Sequence, residues 1–175
     1  TAIVAVQIEG VLHQYSTLPH LKEDILEFLL NVKGIRLRSI FDGSGTMTLD
    51  VEGQRTIYAG DITPSGQFEV VNPDLPLATL DSPEGRLSAT FYVDQGWGFR
   101  PGVHGEENQG AIGILPVDAI FTPIRKVNYT VERTRVGQIT DYDRLLLEVW
   151  TDRSISPDDG LRQAAEILIE RLSLF

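Results

Sequence analysis

The feature that most constrains this sequence is a two-residue hydrophobic alternation that recurs over residues 35–93. Its longest run places Leu87, Ala89, Phe91 and Val93 at every second position. Period two sends successive side chains to opposite faces of a strand, whereas a helix requires a period near 3.6. Proline, glycine and serine clusters separate the runs. The pattern predicts short antiparallel strands joined by turns.

Further strands are predicted on both sides of this region. Residues 2–8 and 11–15 indicate one long strand or a kinked pair around Gly10. Residues 127–131 and 145–149 alternate again, and a polar turn is predicted at residues 140–143 between them. Residues 96–113 are rich in glycine and predict a long exposed loop.

Two segments show the helical period. Apolar side chains recur at three- and four-residue spacing over residues 21–33, and Gly34 follows as a stop signal. A second helix is predicted after Ser156, which can cap it, with Pro157 at its first position. Strands and segregated helices together predict an α+β fold with antiparallel sheets.

The last helix carries more apolar surface than one sheet can cover. Its main stripe is Leu161, Ala164, Ala165, Leu168, Ile169, Leu172 and Phe175. Ile167 and Leu174 form a second patch nearly opposite the centre of that stripe. We expect the stripe to pack on its own sheet and the patch to meet a partner helix, the alternative being two isolated surface residues. Leu168→Asp should then weaken folding, and Ile167→Asp should change association.

The charge balance argues against direct nucleic-acid binding. Lys plus Arg number 15 against 25 Asp plus Glu, giving a net charge of -10. No basic stripe is present that could neutralise phosphates.

The chain has no cysteine, no apolar run long enough to span a bilayer and no signal-peptide pattern. It starts at Thr1 inside a strand-like run. A fragment or processed chain in the cytoplasm is expected.

Candidate catalytic and metal-binding groups are few. The three histidines, His13, His20 and His104, lack a second ligand at metal-binding spacing, so no metal or other cofactor is predicted. Asp141 and Asp143 resemble an acidic pair but also fit turn chemistry. A hydrolase that uses His13 or the two aspartates is the enzymatic alternative, and a stand-alone β-rich binding module is another.

Several segments resemble one family in order and spacing. They are residues 8–17, 22–25, 71–74, 117–124, 127–129, 135–138, 140–141, 147–151 and 156–157. The resemblance is to the N-terminal domain of the alpha subunit of bacterial-type DNA-directed RNA polymerase, without its first strand and first helix. It implies a β-rich inserted subdomain at residues 1–122 and part of a dimerisation subdomain at residues 123–175.

The resemblance also implies a non-catalytic scaffold that pairs with a second alpha copy and docks the beta and beta-prime subunits. The implied dimer interface is Leu161, Ala164, Ile167, Leu168, Leu172, Leu174 and Phe175. The implied beta-prime docking residues are Asp118, Phe121, Pro123, Lys126, Asn128, Tyr129, Thr140 and Asp141. The implied beta docking residues are His13, Tyr15, Ser16, Thr17 and Glu23. Glu106 and Glu107 would be solvated loop charges or an acidic patch for a transcription activator.

Overall fold

The alternating segments form antiparallel sheets in the computed structural model, which describes residues 1–102, 113–137 and 139–173 and only the backbone at residues 136 and 139–141. The chain divides into two compact units, Thr1–Thr122 and Pro123–Phe175. The predicted α+β class is confirmed, because antiparallel strands are combined with two α-helices in the described residues.

The largest sheet of unit 1 has four strands in the order β3, β7, β1, β9. Their bounds are Gly45–Glu52 for β3, Arg86–Asp94 for β7, Ala2–Ile8 for β1 and Ile114–Pro116 for β9. All neighbours are antiparallel, and β1 has a bulge between Ile3 and Ala5.

Three shorter strand pairs complete unit 1. They are β2 (Leu37–Ser39) with β5 (Phe68–Val70), β4 (Arg55–Tyr58) with β6 (Pro76–Leu80), and β8 (Phe99–Arg100) with β10 (Ala119–Ile120). A short 3-10 helix spans Ala59–Asp61 after β4. The strand β8 falls inside the predicted glycine-rich loop, so the first part of that loop forms a strand that pairs with β10. Most of that loop lies outside the described residues.

Helix α1 (Ile25–Val32) buries one face in the core of unit 1. Ile25, Phe28, Leu29 and Val32 are buried there, at the spacing that the sequence predicted. The helix begins four residues later than predicted because Asp24 caps it, accepting a hydrogen bond from the Glu27 backbone N–H at 2.6 Å. The sheet contributes the alternate side chains of β3 and β7 to the same core.

The predicted strand at residues 11–15 is wrong. Strand β1 ends at Ile8, and residues 9–20 form turns and irregular backbone. Gly10 adopts φ +81, a conformation that favours glycine and redirects the chain. Val11 returns to the core, whereas Leu12 and Tyr15 are exposed.

Unit 2 is a long hairpin followed by one helix. Strands β11 (Ile124–Val136) and β12 (Ile139–Thr151) pair antiparallel, and Val136 stands opposite Ile139. The predicted turn at residues 140–143 is therefore wrong, because the reversal occurs at Gly137 and residues 140–143 belong to β12. Gly137 has φ +63, which suits a tight hairpin turn.

Helix α2 (Pro157–Leu172) begins as the sequence predicted. Ser156 caps it, with the serine Oγ accepting from the Asp159 N–H at 3.1 Å, and Pro157 occupies the first turn. The predicted packing is reversed, however. Leu168 of the main stripe is 62% exposed, while Ile167 is only partly exposed and lies on the same side as Gly160, which approaches Ile124 of β11. The helix contacts its own hairpin through the smaller side.

The reversal overturns both substitution predictions made for α2. Since Leu168 is exposed within the chain, Leu168→Asp should leave the fold of unit 2 intact. Ile167→Asp should instead disturb the packing of α2 on its own hairpin. The main stripe is consequently the side that is open to a partner.

Within the described residues, no helix is long and apolar enough to cross a membrane.

We predict that Phe28→Ala and Leu30→Ala, both on α1, will differ sharply in stability. Phe28 is 0% exposed in the core, whereas Leu30 is 63% exposed. Removing a buried phenylalanine side chain costs roughly 3–5 kcal/mol, whereas an exposed substitution changes the free energy of unfolding by about 0.5 kcal/mol. Urea denaturation of unit 1 measures both values. Equal effects would contradict this assignment of the buried helix face.

Candidate assembly surface

One face of the hairpin in unit 2 is almost entirely apolar. The register places three apolar pairs on it, Val127 with Val149, Tyr129 with Leu147 and Val131 with Leu145. Tyr129 is 73% exposed, and four of the other five side chains are also exposed. This apolar face comprises Val127, Tyr129, Val131, Leu145, Leu147 and Val149. A surface of this composition is suited to being covered by protein.

The exposed stripe of α2 adds to this surface. Leu161, Leu168, Ile169 and Leu172 are each more than half exposed, and Ala164 and Ala165 lie between them on the helix. Every buried apolar residue that the structure describes belongs to unit 1. Unit 2 thus has an amphipathic hairpin and an amphipathic helix, but its described side chains form no closed core.

The opposite face of the hairpin has a different character. It mixes charged, polar, aliphatic and aromatic side chains in five cross-strand pairs: Lys126 with Trp150, Asn128 with Glu148, Thr130 with Leu146, Glu132 with Arg144 and Thr134 with Tyr142. We call this the mixed face. Lys126 and Asn128 of the implied beta-prime docking set lie on it, whereas Tyr129 of that set lies on the apolar face. The alternation over residues 127–131 already separates Asn128 from Tyr129. The misplaced turn hid only the cross-strand pairing of β11 with β12.

The implied beta docking residues cluster in an exposed segment of unit 1. Val11 and Leu18 hold its ends against the core, and the segment between them is largely exposed. His13 and Ser16 are joined by a hydrogen bond between Nδ1 and Oγ at 3.2 Å. Glu23 has a role inside the fold, because its carboxylate accepts the Thr79 backbone N–H at 2.6 Å.

Two of the implied beta-prime docking residues are engaged within unit 1. The Asp118 carboxylate accepts from the Gly102 N–H at 2.8 Å and from the Lys33 ammonium at 2.9 Å. Phe121 is buried under the Arg100 guanidinium, which lies 5.0 Å from the ring centroid. Asp118 therefore connects the end of α1 to the chain after β8, and Phe121 supports the local packing.

An ion pair closes the turn that links β7 to β8. Arg100 Nη1 donates to Asp94 Oδ2 at 2.7 Å, and the Gln95 N–H donates to Asp94 Oδ1 at 2.8 Å. The hydrogen bond from Arg100 is the main reason that the pKa of the Asp94 carboxyl is lowered, and partial burial opposes it. The pair holds the turn that carries Trp97 and leads into Phe99 of β8.

Some predicted site residues lie outside the described part of the chain. Glu106, Glu107, Leu174 and Phe175 are not described, nor are the side chains of Thr140 and Asp141. Pro123 is described, and its carbonyl accepts the Asp152 N–H at 2.9 Å.

The geometry of the described residues gives little support to the alternative that the chain is a hydrolase. Asp143 lies within β12 opposite Arg133, and the pair formed by His13 and Ser16 is on the surface. Among the described residues, no group of three or more His, Asp or Glu side chains is arranged to hold a metal ion.

A comparison with known families identifies the family to which unit 1 corresponds. The family model described as the RNA polymerase Rpb3/RpoA insert domain matches residues 6–122, more than half of the chain. The chain belongs to this family. The boundary of the insert-domain match at residue 122 coincides with the boundary between the two compact units.

Curated relatives of this insert-domain protein are similar over both units. The DNA-directed RNA polymerase subunit alpha of Desulforudis audaxviator is 46% identical over 174 residues, which cover 99% of this chain and 55% of that protein. The subunit of the same name from Desulfitobacterium hafniense is 47% identical over 175 residues, covering 100% of this chain and 55% of the relative. The chain thus spans about 55% of the length of these relatives.

We predict that the stabilising effect of Asp94 is lost in acid. Because its pKa is lowered on folding, its contribution is present at neutral pH and disappears as the pH falls through that lowered pKa. Asp94→Asn should reduce the free energy of unfolding by at most about 1 kcal/mol at pH 7, since the pair is partly exposed. The difference between wild type and variant should shrink toward zero below about pH 4, where the unfolded aspartate also protonates.

Urea denaturation across pH 3–7 measures this difference. A difference that stays constant or grows in acid would contradict the role assigned to the ion pair.

Proposed function

We propose that this protein is a non-catalytic scaffold subunit of DNA-directed RNA polymerase. In this proposal it dimerises through unit 2, docks the larger beta and beta-prime subunits, and supplies no catalytic group to nucleotide transfer. Membership of the insert-domain family and full-chain similarity to proteins named subunit alpha support the proposal. The proposed setting is the cytoplasm, consistent with the bacterial relatives.

The observation that carries the proposal is the open apolar surface of unit 2. An isolated two-stranded hairpin is marginally stable in water, and a single helix of 16 residues gains little stability without tertiary packing. Unit 2 combines these two elements and leaves the apolar side of each exposed. Such an arrangement is suited to a core that is completed by additional chain.

The α2 stripe is the proposed dimer contact. Covering Leu161, Leu168, Ile169 and Leu172 would stabilise a complex by roughly 1–2 kcal/mol for each side chain, or on the order of 5 kcal/mol together. The occupant that we propose is a second alpha copy in the full-length protein, in which two copies bring their helices together. The relatives are nearly twice as long as this chain, which leaves ample further chain to contribute to the same core.

Docking of the large subunits is assigned to the exposed members of the implied sets. For beta these are His13, Tyr15 and Thr17 with the partly exposed Ser16, and for beta-prime Lys126, Asn128 and Tyr129. We give Glu23, Asp118 and Phe121 a supporting role, because their side chains bond or pack within unit 1. Unit 1 is then the inserted subdomain and unit 2 part of the dimerisation subdomain. The activator contact at Glu106 and Glu107 stays a prediction.

We predict that Leu168→Asp in the full-length protein weakens the dimer without unfolding the subunit. The substitution places a carboxylate in the proposed contact, where it would be buried without a partner. We expect the dimer dissociation constant to rise about 100-fold, equivalent to roughly 3 kcal/mol. Sedimentation equilibrium measures the constant, and circular dichroism checks the fold.

Gln163→Asp is the matched control, because it introduces the same side chain on the same helix, away from the stripe. It should leave the dimer intact. An unchanged dimer with Leu168→Asp would exclude the stripe as the contact. If the wild-type protein also fails to co-purify with beta and beta-prime, the scaffold proposal is wrong, and a stand-alone binding module becomes the better account.

A further inference from the structure

Unit 1 exposes a small group of apolar side chains on two adjoining turns. Ile40 and Phe41 lie on the connection from β2 to β3, and Trp97 lies on the turn from β7 to β8. Trp97 is 80% exposed, Phe41 is 65% exposed and Ile40 is 56% exposed. We call these three residues the aromatic patch. They lie outside the docking and dimer sets described above, so the proposed function leaves them unexplained.

The amide of Gln95 joins the two turns. Its Nε2 donates to Ser39 Oγ at 2.8 Å and to the Phe41 carbonyl at 3.2 Å. The Ile40 N–H donates to the Gln67 carbonyl at 2.8 Å. The backbone of the first turn is therefore fixed while its apolar side chains remain in water.

The second turn holds Trp97 between two glycines. Gly96 lies so close to the Phe121 ring that a Cβ at this position would meet it at 2.8 Å. Gly98 has φ +63, and its carbonyl accepts the Phe121 N–H at 2.8 Å. The tryptophan is thus presented by a turn that is anchored on both sides. A surface that is rigid before binding loses little conformational entropy when a ligand covers it.

We infer that the aromatic patch is a docking site for a basic, proline-rich segment of another protein and that Trp97 is its anchor. The inference goes beyond the proposed scaffold function and does not depend on it, because no large subunit and no second copy takes part.

The size of the patch excludes a stable dimer contact. An aromatic side chain can bury about 150–250 Å², so the exposed parts of the three side chains sum to on the order of 400 Å². A stable independent complex buries about 800 Å² on each partner. Apolar patches of roughly 300–600 Å² are nevertheless often functional. The patch therefore fits a small, transient ligand better than a second copy of the chain.

The same limit on area selects a ligand whose conformation is formed in advance. A flexible peptide loses conformational entropy on binding, and a contact this small leaves little free energy to offset that loss. A polyproline II helix needs little ordering, and proline-rich segments dock on surfaces lined by aromatic rings. The carbonyls of Phe41 and Gly98 already accept hydrogen bonds within the fold, so the contact depends on the side chains.

The charges around the patch favour a basic ligand. Asp42 is exposed at the edge of the first turn. Arg38 of β2 is paired with Glu69 at 3.3 Å, and Arg100 of β8 is paired with Asp94 at 2.7 Å. These five groups carry a net negative charge in a chain of net charge -10. Lysines beside the prolines would be attracted, whereas the phosphates of a nucleic acid would be repelled.

The probe for the test is a fluorescein-labelled peptide of roughly ten residues, about 31 Å long as a polyproline II helix, in which prolines and leucines are interspersed with several lysines. Fluorescence anisotropy measures its dissociation constant for the full-length protein. Trp97→Ala should raise that constant at least about tenfold, because tryptophan is among the residues that dominate binding energy at interfaces. Phe41→Ala should raise it by a smaller factor.

Controls address the surface and the ligand separately. Leu30→Ala removes a side chain that is 63% exposed on α1, outside the patch, and should leave the dissociation constant unchanged. A peptide with glutamate in place of each lysine should bind at least about tenfold more weakly, because it meets like charge. A peptide with serine in place of each proline should also bind more weakly, because it must be ordered on binding.

Several results would overturn the inference. The first is no binding of the lysine peptide up to about 1 mM, and the second is equal binding by wild type and Trp97→Ala. Equal binding of the lysine and glutamate peptides would refute the basic ligand. A lower melting temperature or a weaker dimer in Trp97→Ala would show that further chain or a second copy covers the ring.

Single-stranded RNA is the remaining alternative occupant, since bases stack on exposed aromatic rings. Binding of an oligouridine probe that is lost in Trp97→Ala, with no binding of the lysine peptide, would assign the patch to RNA and refute the inference. Co-purification with beta and beta-prime is measured separately, so failure of this inference leaves the scaffold proposal standing.

Discussion

The structure depends on a contrast between a core that is closed and one that is left open. In unit 1, α1 and the sheet enclose phenylalanine, leucine, isoleucine and valine side chains that are almost wholly removed from water. In unit 2, leucine, isoleucine and valine are also present on β11, β12 and α2, yet none of the described side chains is buried. Hydrophobic burial is the dominant favourable contribution to folding and association, so the open surface determines what unit 2 can do.

Under the proposed function, this contrast allows one short chain to be both a stable body and an assembly element. Unit 1 supplies its own stability and holds its exposed segments in place, as Val11 and Leu18 do for the residues between them. Its ion pairs, such as Asp94 with Arg100, fix turns at the surface. In the proposed function, unit 2 contributes the apolar area for joining chains.

Much of the fold could be predicted from the sequence because local signals were strong. The alternation in β3 and β7, the stripe of α1 and the cap at Ser156 each depend on neighbouring residues and were correct. The strands β8 and β10 were missed because two residues are too few to establish a period.

The candidate site was harder to predict because it depends on contacts distant in sequence. Placing the hairpin turn at residues 140–143 hid the cross-strand register, which pairs Tyr129 with Leu147 and Asn128 with Glu148. The side of α2 that packs on its own hairpin is set by Gly160 and Ile124, whose close approach no helical periodicity reveals. The role proposed for the surface rests on similarity to a family, and its geometry rests on the register.

The most direct test of the account is hydrogen–deuterium exchange of the hairpin amides in two states, this 175-residue chain alone and the full-length protein assembled with beta and beta-prime. If unit 2 depends on other chain for its core, amides of β11 and β12 should exchange at least about 100-fold faster in the isolated chain, while those of β3 and β7 exchange at similar rates in both states. Equally slow exchange of β11 and β12 in the isolated chain would contradict the account, because unit 2 would then be stable by itself.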